Sequence, residues 1–130
     1  MKKKLSYWIG KLDTAISNYV RAKAKFTCER CNKTYNPNIK YGLSGLHCSH
    51  YMGRTNKSTR FELENLDCFC NGCHSYFEDR KQTAYRDWKI EKHGLHTVER
   101  LEWDSRQTRK WKDYELIDLI KKYKDEVKGC

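Results

Sequence analysis

One proline, Pro37, and two methionines are all that 130 residues contain of either type. With so little proline there is no proline-rich linker, and no internal repeat or low-complexity tract divides the chain. Long apolar runs are missing too, and a membrane-crossing helix needs about 20 consecutive apolar residues. The opening Met1-Lys2-Lys3-Lys4-Leu5 is basic, yet no apolar stretch follows it, so a secretory signal is not expected. The expected location is cytoplasmic, with no membrane partner. Hydrophobic residues reach only 38%, and the mean hydropathy is -1.01. A polar chain of one-domain size can bury only a modest core, which a structural metal would reinforce.

Acidic residues are also short in number. Seventeen of them face 27 lysines and arginines, leaving a net charge of +10. Such a surface suits a polyanion, and nucleic acid is the first candidate.

What the chain does have is cysteine. There are seven, an odd count that defeats full pairing, and the absent signal argues for metal ligation over disulfides. Four fall in two Cys-x-x-Cys units, Cys28-Glu29-Arg30-Cys31 and Cys70-Asn71-Gly72-Cys73. Together they offer the four thiolates of a structural zinc site. Cys68 competes with Cys70, but the spacing of Cys70 to Cys73 fits a knuckle turn. Cys48, Cys68 and Cys130 remain as free thiols. A site closed by four thiolates leaves no position for water, so this zinc is expected to staple the fold and not to catalyse.

The second pair closes a stretch that carries His47, His50, Asn65 and His74 in order. Hydrolysis of a phosphodiester needs an activated water, stabilisation of phosphate charge and help for the leaving oxygen. A histidine near its ordinary pKa can take the proton at neutral pH, and a divalent cation can serve the leaving group. His50 on a strand and His74 on the following helix are the candidate pair, with Asn65 orienting the base. Arg54, Lys57 and Arg60, in and beside a loop without acids, are candidate phosphate contacts.

Periodicity predicts a helix from Leu12 to Lys25, opened by Leu12 or Asp13, behind a basic arm over residues 1–11. Strands are expected at His47–Tyr51 and Arg60–Leu66, joined by a loop over Met52–Thr59. Ile39–Gly45 reads as a loop or short strand. A short helix should follow the second knuckle, and further helices are expected at Thr83–His93, Thr97–Trp103 and Asp113–Lys128, the last capped by Asp113. The chain reads as one α+β domain, with residues 1–25 as arm and helix, 26–82 as the core and 83–130 as a helical extension.

The order Cys-x-x-Cys, Ser49-His50-Tyr51, Asn65-Leu66 and Cys70-x-x-Cys73-His74 resembles the HNH, or ββα-metal, endonucleases in their zinc-containing treble-clef form. Arg60-Phe61, the Tyr85-Arg86 helix, Gly94, Trp111 and the lysine-rich C-terminal helix are similar to the NinG/Rap recombination nucleases of lambdoid phages. The resemblance spans about residues 12–128. It implies a treble-clef core of β-hairpin plus helix with flanking helices, and it makes His50 the general base. Asn65 would position the base and loop, and His74 would be a ligand of a catalytic Mg²⁺ or Mn²⁺. Ser49 departs from the family, where an Asp or His often ligates. His47 is the first substitute, turned inward by a bend at Cys48. Asp67 is a second, and waters with substrate phosphate a third. The family branch carries Asn where this chain has His74. The implied substrate is branched DNA such as Holliday junctions, D-loops and flaps, cut in a bacterial host, and a homodimer would suit symmetric cutting. The runner-up is a non-catalytic zinc-containing DNA-binding or adaptor protein. A zinc interaction module without nucleic acid is disfavoured by the charge.

Overall fold

The computed structural model describes residues 2–37, 45–79 and 82–130, the side chain of Asp79 excepted. The expectation for residues 39–44 lies outside the described residues. Five helices and one two-stranded antiparallel sheet are described: α1 Leu5–Lys23, β1 Leu46–His50, β2 Leu66–Cys70, α2 Asn71–Asp79, α3 Gln82–His93, α4 Leu95–Ser105 and α5 Asp113–Val127. The fold class is thus mixed α+β. Among the described residues no helix is long and apolar enough to cross a membrane.

Helix α1 starts seven positions before the expected Leu12. Trp8 and Ile9 continue its apolar stripe and pack against the core that Leu12, Ala15, Ile16 and Val20 enter. Residues 5–11 are therefore helix and not arm, and Asp13 lies inside the helix instead of opening it. The apolar faces of α1 and α5 meet, with Leu116, Ile120 and Tyr123 supplied by α5. Asp113 is the first residue of α5 and not its cap. The free N–H of the preceding Lys112 is taken by Glu115 Oε1 at 2.9 Å. Gly94, at φ +91, makes the turn from α3 into α4, a conformation open to glycine.

The second strand lies later than the sequence predicts. Arg60 and Phe61 turn, Leu63–Asn65 make one turn of 3-10 helix, and only then does β2 begin. All five residues of β2 are buried, so the alternation that marks a half-exposed strand is absent. Asp67, in the middle of this buried strand, is tolerated because three donors reach it. Tyr85 Oη donates at 2.6 Å, Lys89 Nζ at 3.1 Å and Lys92 Nζ at 2.8 Å. Burial pulls the Lys89 ammonium below its ordinary pKa despite Asp67 beside it.

The pairing runs unbroken from Leu46↔Cys70 through Cys48↔Cys68 to His50↔Leu66. The far edge of β2 is covered by the first cysteine turn. Glu29 N–H donates to the Cys68 carbonyl at 2.8 Å, and Glu29 Oε1 accepts from Cys68 N–H at 3.0 Å. The outer edge of β1 has no strand partner among the described residues, and a cleft opens along it.

Candidate functional site

The four sulfurs of Cys28, Cys31, Cys70 and Cys73 lie within 4.8 Å of one another. Each pair reaches that point by a local turn. After Cys31, Asn32 takes φ +65, which asparagine tolerates, and its N–H donates to the Cys28 carbonyl at 2.8 Å. Cys70 ends β2, and Cys73 sits in the first turn of α2 with its N–H directed at Cys70 Sγ, 3.5 Å away. Against burial, which raises it, the Cys73 amide and the neighbouring thiols bring the Cys70 thiol down to about 7. Burial drives Cys73 up to about 12. One thiolate forms readily, and a second beside it is opposed. A dication such as zinc removes that opposition, so the donor set fits one. Arg30, 3.5 Å from Cys73 Sγ, adds positive charge beside the thiolates. Cys68, the competing ligand, is outside the cluster: it is fully buried opposite Cys48, and burial pushes its thiol up to about 12.

The cleft along β1 has a volume of about 550 Å³ and lies between α1 and α2. His50 and His74 both line it, although they leave the chain on different elements. The His74 ring is held on both nitrogens: Nδ1 is 2.5 Å from Ser49 Oγ, and Nε2 is 3.2 Å from Glu78 Oε2, one helical turn on. His47 stacks on His74, with ring centroids 4.5 Å apart and planes within 7°, and its Nε2 bonds Asn71 Oδ1. No bend at Cys48 brings it there. Strand β1 is regular, and α2 packs on the face that His47 shares with Ser49. Parallel rings direct their nitrogen lone pairs along parallel planes, so His47 and His74 do not converge on one ion in this arrangement.

His50 ends β1. Its Nε2 is buried and has no hydrogen-bond partner among the described residues. Burial, followed by the positive charge of Arg54, lowers its pKa to about 4, so the ring is neutral at neutral pH. Asn65 is fully buried and lies away from the cleft lining. Its side chain clasps the residue two beyond His50, accepting from Met52 N–H at 2.8 Å and donating to the Met52 carbonyl at 3.0 Å. Its own carbonyl accepts Tyr51 N–H at 2.9 Å. Asn65→Ala leaves both Met52 groups unmatched. We expect it to cost about 2 kcal/mol or more, read as a lower urea midpoint at unchanged m-value; an unmoved midpoint would contradict the clasp.

The three basic candidates differ in place. Arg54 lines the cleft and Lys57 is exposed. Arg60 is committed elsewhere, its guanidinium bound by both oxygens of Asp13 at 2.5 and 3.1 Å. Asp67 lies under its two lysines and does not line the cleft. Sequence reasoning missed the contribution of α1, whose Asp13, Thr14, Ser17 and Arg21 form one wall, and it missed Glu78. The His74-x-x-x-Glu78 spacing was the available signal for Glu78, since it puts both side chains on one helix face.

The family model described as "Bacteriophage Lambda NinG protein" matches residues 1–130. No curated protein and no solved structure matches the chain.

Proposed function

The chain belongs to the bacteriophage lambda NinG family, and on that footing we propose that it is a metal-dependent DNA endonuclease of the HNH type, with a treble-clef zinc core, acting on branched recombination intermediates. The observation that carries the reading is that His50, His74 and Arg54, carried by different parts of the chain, line one cleft. His50 takes the proton from the attacking water. Asn65 is a positioning residue, fixing the backbone just after His50. Arg54 meets the phosphate.

The donor chemistry of the cleft fits a hard divalent ion through His74 and Glu78, because Mg²⁺ and Mn²⁺ favour carboxylate oxygen and Mn²⁺ accepts imidazole. Glu78 then supplies the carboxylate that the Ser49 position lacks. Ser49, bonded to the other nitrogen of His74, orients the ring. Once bound, the ion would stabilise negative charge on the phosphate and the leaving oxygen.

A test uses the full chain with a four-way junction and a linear duplex of matching sequence, with Mg²⁺, with Mn²⁺ or without added divalent ion. Junction strands should be cut only with the divalent ion present. Binding with no cutting under either metal overturns the nuclease reading in favour of the non-catalytic DNA-binding adaptor. One observation favours that adaptor: among the described residues, the four cysteines are the one group of three or more His, Cys, Asp or Glu donors that converges. Equal cutting of linear duplex removes the preference for branches.

A further inference from the structure

The segment joining α4 to α5 reads Arg106-Gln107-Thr108-Arg109-Lys110-Trp111-Lys112 and contains no acid. It is held down. Trp111 Nε1 donates to the Lys57 carbonyl at 3.0 Å, and its ring meets Phe61 edge-on with centroids 5.6 Å apart. Arg109 lies over that ring, 3.9 Å from its centroid, and is tied to Glu115 at 2.8 Å. The end of α4 is fastened to the same loop, where Ser58 Oγ donates to the Asp104 carbonyl at 2.5 Å. The segment is a strap across residues 51–62, and that loop carries Arg54 into the cleft.

Two cations of the strap and loop are tied down, Arg60 by Asp13 and Arg109 by Glu115. Lys57, Arg106, Lys110 and Lys112 are exposed and form no ion pair among the described residues. Gathering like charges on one rigid ridge raises the free energy of the protein alone and lowers it when a polyanion lies there.

We propose that the strap and the loop beneath it form a track for the phosphate backbone of a DNA duplex arm leading into the cleft. Which phosphate then reacts rests on the nuclease reading; the track itself is a binding surface. Recognition is of the backbone, so it should not depend on sequence.

The test compares two triple variants of equal charge loss, R106A/K110A/K112A on the strap and K121A/K122A/K124A on α5. Each is bound to a four-way junction without added divalent ion and followed by fluorescence anisotropy between about 50 and 200 mM salt. Circular dichroism confirms that both are folded. The strap variant should bind about tenfold more weakly, with the slope of log K against log salt reduced by about 2 to 3, and the α5 variant should lose less than about a third of that slope. Equal losses in the two variants, or an unchanged slope on the strap, overturn the track. Full-length protein that binds through the strap yet never cuts leaves the track standing and removes the nuclease reading. Protein that cuts with the strap variant matching the α5 variant does the reverse.

Discussion

Cys70→Ala should unfold the domain, and so should chelation of a metal ion bound at the four-cysteine site. Cys28, Cys70 and Cys73 are buried, and their sulfurs join the first cysteine turn to the end of β2 and the start of α2. Structural zinc in small domains contributes about 10 to 16 kcal/mol in apparent free energy, against about 5 to 15 kcal/mol for the whole stability of a typical domain. Losing the first removes the second. Metal content and the far-UV spectrum, followed together during titration with a chelator, should fall in parallel. The exposed Cys130 is the control, because Cys130→Ala touches only the C-terminal turn. A Cys70 variant that keeps both its metal and its helical spectrum would show that the cluster does not hold the fold.

That centre was legible because its rule is local. Two residues between two thiols suffice to predict a turn and its ligands, and the structure brings the four sulfurs together. Helices α3, α4 and α5 were legible for a similar reason, each having a polar face that exposes its period. Strand β2 was not. It is covered on both faces, so Leu66-Asp67-Cys68-Phe69-Cys70 shows no alternation, and its aspartate is stabilised by lysines on α3 that no local rule connects to it. The start of α1 was obscured by Lys2, Lys3 and Lys4 just before it, although Trp8 and Ile9 extend the stripe. His47 was placed near His74 through a bend that does not exist; a helix lying on the His47 face brings them together.

The same difference in range explains the cleft. His50 and His74 were found as residue types in order, whereas its α1 wall is remote in sequence and could not be. Asp13 and Arg60 illustrate the consequence. Each looked available for another task, helix opening or phosphate binding, until their bidentate pairing tied α1 to the loop after β1. This pairing leaves Arg21 and Arg54 as the cations lining the cleft, and on the proposed track it puts backbone binding on the exposed rim of Lys57 and the strap.

His50→Ala, on the nuclease reading, should lower cleavage by about 10²- to 10⁴-fold, the usual contribution of a general base. Junction affinity should stay within about twofold, since phosphate contacts dominate it. The variant should also fold, because His50 Nε2 has no partner among the described residues to be stranded by its loss. The pH profile separates this role from a structural one. A base acts in its neutral form, and burial with Arg54 nearby lowers the His50 pKa to about 4 in the free protein. The acid limb of kcat/KM should therefore lie well below 6.5, the ordinary histidine value, with a plateau through neutral pH. Bound phosphodiester brings negative charge against Arg54 and favours the protonated ring, so the limb in kcat should lie above the limb in kcat/KM. Rates are taken only where the far-UV spectrum is unchanged, because protonation of the four cysteine thiolates at low pH would release a metal ion bound there and unfold the chain. Loss of affinity in parallel with activity, or a limb in kcat/KM at or above 6.5, would remove His50 from the proton transfer.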